Sequence, residues 1–169
     1  MAAAPTDAER VLAALRATPG DPDLERTYVE LLLAARPAPA YEASAACDSC
    51  AALPACDSRF WVDGQPEPPP LVSPRVPLRR VDDPPWSASS LWQCDRCGTY
   101  YERHYFRDTG VIGPDDYTEE RTRLDARAAK KRIATELDSP YRKLDIAERL
   151  ALRAELAWVE ARLARRPRR

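Results

Sequence analysis

The chain of 169 residues holds one histidine, one methionine, two phenylalanines, three lysines and five glycines. With His104 as its sole histidine, a Ser–His–Asp or Cys–His arrangement has a single base to draw on. No His-Glu-x-x-His pair and no glycine-rich phosphate loop occurs. No stretch approaches the ~20 uninterrupted apolar residues of a membrane-spanning helix. The first ten residues, Met1 to Arg10, lack the basic segment and apolar run of a secretion signal. These absences predict a cytoplasmic protein without membrane contact and without enzymatic activity. The carboxylate pairs Asp82-Asp83 and Asp115-Asp116 fall in turn-forming sequence and read as caps or solvated turns.

Large apolar side chains are scarce as well. Hydrophobic residues make up 44% of the chain, but much of that is alanine. Such a composition argues against a large core and favours a supplementary source of stability. Arginine outnumbers lysine 23 to 3, and together with the alanine and proline content this points to a GC-rich bacterial genome.

Five cysteines are present, and four of them form two pairs, Cys47-Asp-Ser-Cys50 and Cys94-Asp-Arg-Cys97. Two cysteines separated by two residues can turn both sulfurs onto one ion, and two such pairs fill the tetrahedral shell of zinc. Thiols paired in this way in a reducing compartment favour a metal over a disulfide. Gly98, directly after the second pair, can take a positive φ and fold the chain back over the metal. Beyond it Tyr100, Glu102, His104 and Phe106 alternate with Tyr101, Arg103 and Tyr105, a strand pattern. Leu91 to Phe106 therefore reads as a hairpin with a metal-binding knuckle at its tip. The expected Zn2+ ligands are Cys47, Cys50, Cys94 and Cys97. Alternatives stay open: Cys56 replacing a member of the first pair, His104 completing a Cys3His site, or a disulfide, an iron–sulfur centre or no metal at all. A closed shell of four thiolates leaves no position for water, which fits a structural zinc rather than a catalytic one.

Cys47–Cys50 and Cys94–Gly98 with their flanking strands resemble the zinc-ribbon group, whose later knuckle often reads Cys-x-x-Cys-Gly before a strand. The resemblance covers about a third of the chain. It implies a small antiparallel β platform and little about function, since ribbons serve transcription factors, ribosomal proteins, enzymes and adaptors. Residues 51–93 form a longer spacer than a compact ribbon has.

Upstream, residues 7–17 and 22–36 read as a helical hairpin. Val11, Leu12 and Leu15 form one apolar stripe; Leu24, Tyr28, Leu31, Leu32 and Ala35 form the other. Asp21 caps the second helix with Pro22 at its first position. Ala14 to Asp21 followed by Tyr28 faintly resembles a short bacterial repeat-companion domain, although that family's tryptophan is missing here. Arg59-Phe-Trp-Val62 with Asp63-Gly64 suggests a strand and a tight turn opening a first hairpin. Eight prolines between Gln65 and Pro85 forbid helix and central strand there, so an extended loop is expected. Within it, Pro66 and Pro69 fit a P-x-x-P ligand pattern.

Downstream, Asp116 with Glu119 fits a capping box, and a helix is expected from there to about Leu137. Its apolar line is Ala126, Ala129, Ile133 and Leu137; Arg123, Arg127, Lys130 and Lys131 lie opposite. Asp145 with Glu148 opens a last helix to about Arg165, striped by Leu152, Leu156, Val159 and Leu163. These two helices are expected to form an antiparallel pair.

The expected fold is α+β: a zinc-ribbon-like antiparallel core with an N-terminal helical hairpin and two long C-terminal helices. Its parts are residues 1–40, residues 41–117 with the proline-rich insert 65–85, and residues 118–169. Residues 118–169 carry 15 basic and 9 acidic side chains, whereas residues 47–117 carry 7 and 11. A zinc-stabilised module for protein binding or assembly is the leading expectation, with a protein partner or self-association through the C-terminal helices. The alternative is a nucleic-acid-binding ribbon, with Trp92, Tyr100, Tyr101, Tyr105 and Phe106 stacking on bases and the basic tail on phosphates.

Overall fold

The computed structural model describes residues 6–36, 47–66, 68, 78–81, 89–94, 96–108, 115–140 and 143–165. The fold is α+β, and it divides into two compact units. One combines Met1–Pro39 with Lys130–Arg169, and the other is Ala40–Ala129.

The first unit is helical. Helix α1 (Asp7–Ala17) starts at Thr6, whose hydroxyl accepts from the Glu9 N–H while the Glu9 carboxylate accepts from the Thr6 N–H. That reciprocal pair satisfies two N–H groups that the first turn otherwise leaves open. Helix α2 (Pro22–Ala34) is capped by Asp21, which accepts from the Asp23 and Leu24 N–H groups at 2.9 and 3.2 Å. Gly20 takes φ +86° in the turn between them. Leu15 and Tyr28 meet Leu150 of the last helix, flanked by Val11, Leu12, Leu24, Leu32 and Ile146. Val11, Leu12 and Leu15 of the first stripe and Leu24, Tyr28 and Leu32 of the second thus face the core, whereas Ala35 is exposed.

That last helix, α5 (Ile146–Ala164), is the central element of the unit. Its chief helical neighbour is α2, and it also touches α1. Leu150, Leu152, Ala154, Trp158 and Val159 are all buried. So is Glu155, which holds Arg36 at 2.8 Å, and the Arg36 guanidinium lies 4.8 Å over the Trp158 ring. The last helix thus packs chiefly on the N-terminal hairpin, a contact the sequence reading did not foresee. Lys130 on α4 (Ala126–Leu137) reaches Glu160 of α5 at 2.7 Å.

The second unit is an antiparallel five-stranded sheet in the order β1-β5-β4-β3-β2. Its strands are β1 (Cys56–Val62), β2 (Leu78–Arg80), β3 (Ser89–Cys94), β4 (Tyr100–Asp108) and β5 (Asp116–Leu124). A single helical turn, α3 (Asp48–Ala51), precedes them. The β3–β4 hairpin stands as the sequence predicts. Three other features differ from expectation.

First, β1 turns at Gly64 (φ +83°) and pairs with β5 from far along the chain. Pro66 and Pro68 lack the N–H groups that a returning strand needs. Second, β2 lies inside the span expected to be all loop. It sits at the sheet edge, where proline neighbours are tolerated. Residues 67, 69–77 and 82–85 of the proline-rich span, including Pro69 of the P-x-x-P pattern, lie outside the described residues, as do Trp86 and residues 166–169 of the basic tail. Third, Asp116–Leu124 is a strand and not the first part of a helix. Helix α4 begins only at Ala126, after Asp125, whose side chain accepts from the Ala128 N–H at 2.7 Å. The Asp116–Glu119 spacing mimics a cap. Cross-strand partners decide instead: Glu119 is buried between Arg59 of β1 and Arg103 of β4, and Arg121 holds Asp57 at 3.2 Å.

In an antiparallel sheet, residues directly opposite one another share a face. Asp57, Arg59 and Trp61 thus lie on one face with Tyr117, Glu119, Arg121, Arg123, Tyr101, Arg103 and Tyr105. Trp61 stacks on Tyr117 with ring centroids 5.3 Å apart, and Arg59 lies 4.6 Å over the Trp61 ring. Glu119 and Arg121 are only 1% and 2% exposed, so the middle of this face is ionic and aromatic rather than aliphatic. On the opposite face, Phe60 and Phe106 flank Thr118 and are 59% and 50% exposed.

Candidate metal centre

The sheet unit is anchored where two turns meet. Cys47 lies at the N-terminal edge of α3 and Cys50 within it, with the Ala51 N–H donating to the Cys47 carbonyl at 2.8 Å. This places both thiols on one side of a single helical turn. Arg123 of β5 fixes the turn to the sheet. Its guanidinium donates to the carbonyls of Cys50 and, at 2.7 Å, of Leu53, while its backbone N–H donates to the Ala55 carbonyl at 2.7 Å. Arg123 therefore belongs to the strand that carries the centre, not to the polar side of a helix.

The second turn is the knuckle between β3 and β4. Cys94 ends β3; its N–H donates to the Thr99 carbonyl at 2.9 Å, and its carbonyl accepts from the Gly98 N–H at 2.8 Å. Gly98 adopts φ +70°, the left-handed conformation its position calls for. Cys97 is thereby folded back beside Cys94.

The two turns bring the sulfurs of Cys47, Cys50, Cys94 and Cys97 within 4.8 Å of one another, in a group that could hold a metal ion. The Cys47 and Cys94 sulfurs are 3.9 Å apart, and those of Cys97 and Cys50 are 3.6 Å apart. Four sulfurs at the ~2.3 Å bond length of zinc thiolates stand about 3.8 Å apart at the corners of a tetrahedron. A disulfide needs ~2.05 Å, and no cysteine in the structure forms one. The donor set and its spacing thus fit a tetrahedral thiophilic metal.

Electrostatics tell the same story from the side of the bare thiols. Burial pushes the Cys50 and Cys94 thiols up from their ordinary range. Burial acts on Cys97 in the same direction. There the Thr99 hydroxyl, 3.1 Å from the sulfur, and the backbone of Cys47 and Thr99 prevail and bring the thiol down to about 6. A divalent cation supplies the charge that ionises all four together.

Neither residue held open as a substitute ligand joins the group. Cys56 is exposed at the start of β1, 3.7 Å from the Thr122 hydroxyl. His104 lies on β4, 3.4 Å from the Glu102 carboxylate and stacked on Phe106. Two neighbours of the centre escaped the sequence reading. Tyr101 packs with Cys50 and Cys94, and Arg123 lies over its ring at 6.0 Å. Tyr101 could have been found from the strand alternation, which puts it on the same side as Trp92. Arg123 was hidden by its assignment to a helix.

Among the described residues, no helix is long and apolar enough to cross a membrane. No protein-family model matches the chain, and no curated protein or solved structure is similar to it at a significant level. The zinc-ribbon likeness therefore rests on the clustered cysteines, and the likeness of the N-terminal hairpin to a repeat-companion domain gains no support.

Proposed function

We propose that this chain is a zinc-stabilised module for protein binding or assembly, in which Cys47, Cys50, Cys94 and Cys97 hold one structural zinc. The observation that carries this reading is the four-sulfur cluster with near-tetrahedral spacing. The zinc supplies cross-linking: it ties α3 to the β3–β4 knuckle across a long spacer. Four thiolates occupy every position of the shell, so the metal has no site at which to activate water.

Support for a protein partner comes from the sheet face bearing Phe60 and Phe106. Two half-exposed phenylalanines across one strand, the only phenylalanines in the chain, form an apolar patch of the kind that marks contact surfaces. On α5, by contrast, Leu152 and Val159 are buried within the helical unit, which favours the sheet face over the C-terminal helices as the docking side. Of the knuckle aromatics offered for base stacking, Tyr100 and Tyr101 are buried.

Native mass spectrometry of protein made in zinc-supplemented cells tests the metal. One zinc per wild-type chain and none in Cys94→Ser is expected; a folded wild type without metal overturns the reading. A photo-crosslinking amino acid at position 60 tests the partner. A protein adduct in cells is expected, whereas an adduct to RNA or DNA would transfer the reading to nucleic-acid binding.

A further inference from the structure

Resting on the zinc reading, we infer that Tyr101 is a positioning residue of the metal centre: its hydroxyl donates to the Cys50 thiolate, with Arg123 supplying counter-charge at the same point. The observation is a pair of unmet needs. Tyr101 is 1% exposed, and its hydroxyl completes no well-formed hydrogen bond among the described residues, although it lies within interaction range of the Cys50 thiol and the Arg123 guanidinium. A buried hydroxyl left unpaired costs about 1–3 kcal/mol, so an orphan of this kind calls for an acceptor. The group it packs against is the Cys50 side chain, which is fully buried and belongs to the four-sulfur cluster. A neutral thiol is a poor acceptor, and a metal-bound thiolate is a good one.

Arg123 has the complementary need. Its guanidinium donates to the carbonyls of Cys50 and Leu53 and lies over the Tyr101 ring, yet it meets no carboxylate among the described residues. Its neighbours on the same face, Arg59, Arg103 and Arg121, each hold one. A divalent metal on four thiolates carries a net charge of −2, and Arg123 is the cation already bonded to the backbone of one ligand. Both groups therefore converge on Cys50, which the loaded centre makes anionic. On the other side of the cluster, the Thr99 hydroxyl stands 3.1 Å from the Cys97 sulfur in the same relation. Outer partners of this kind orient ligands and hold their charge, and their loss commonly weakens metal binding by 10–100-fold.

The test compares wild type with Tyr101→Phe, each loaded with zinc and separately with Co2+. Both are expected to bind one metal per chain. Tyr101→Phe should surrender zinc to a chelator at least ten times faster, and its sulfur-to-cobalt charge-transfer band should move to lower energy. The second measurement uses wild type alone, loaded with 113Cd: the Tyr101 hydroxyl proton should show scalar coupling to cadmium through the sulfur. A wild type that takes up no metal sinks the zinc reading and this inference with it. A wild type that binds metal but shows no cadmium coupling, or a Tyr101→Phe protein matching it in release rate and spectrum, overturns the Tyr101 role alone.

Discussion

The two units of this chain reach stability by different routes. In the helical unit, Leu15, Tyr28, Leu150, Leu152, Trp158 and Val159 are buried, and its Arg36–Glu155 ion pair has the guanidinium over an indole ring. In the sheet unit, the fully buried set includes Cys50, Cys94, Tyr100, Tyr101, Glu119 and Arg121, with Leu91 as the aliphatic member. Apolar burial at ~25 cal/mol per Å2 is the main source of stability for the first. The second buries charges and thiols, which cost free energy unless partners neutralise them. A chain with a meagre apolar supply thus gives most large aliphatic residues to one unit, and ion pairs and a thiol group suited to a metal to the other.

Metal removal is the sharpest way to break this comparison. Stripping the centre with a chelator at neutral pH should cost the sheet unit on the order of 10 kcal/mol. Hydrogen exchange should then show lost protection in β3, β4 and β5, with α1, α2 and α5 still protected. Uniform loss across both units would mean that they do not stand independently. Next in size is Glu119→Ala, which leaves Arg59 and Arg103 facing each other without their shared carboxylate. Its expected cost is about 3–5 kcal/mol, read as a lower denaturation midpoint of the sheet unit.

Leu150→Ala should have the mirror-image effect. It opens a cavity against Leu15 and Tyr28, costs about 2–5 kcal/mol in the helical unit, and leaves metal stoichiometry unchanged. A drop in metal content would contradict the division of labour. The smallest effect belongs to Asp145→Ala. Asp145 accepts from the Glu148 N–H at 2.8 Å and donates its own N–H to the Glu148 carboxylate at 2.9 Å. Losing this cap should cost about 1 kcal/mol in thermal unfolding monitored by helical circular dichroism.

The same contrast explains what the sequence made legible. The helical hairpin, its Asp21 cap and the last helix followed from apolar stripes and local capping signals. The knuckle was equally local, because Cys94, Cys97 and Gly98 encode their own turn. Strand β5 was not legible, for two reasons. Asp116 and Glu119 carry the same spacing as the genuine cap at Asp145 and Glu148, and nothing nearby separates them. The buried side chains of β5 are moreover Glu119 and Arg121, whose partners Arg59, Arg103 and Asp57 come from other strands. Hydrophobic periodicity cannot register a strand whose inward side is charged. The error carried Arg123 with it, and with Arg123 the side chain that fixes α3 to the sheet.

The helical unit joins the beginning of the chain to its end, and this gives the protein an order of assembly. During synthesis α1 and α2 leave the ribosome about 110 residues before the first turn of α5. At ~5–20 residues per second, their apolar stripes wait roughly 6–20 s for the helix that covers them. The whole of the sheet unit emerges within that interval, so its four-cysteine group is complete before the last helix exists. The nascent hairpin is then left with its apolar stripes uncovered, and under the proposed metal-binding role supply of the ion would govern the first folding event.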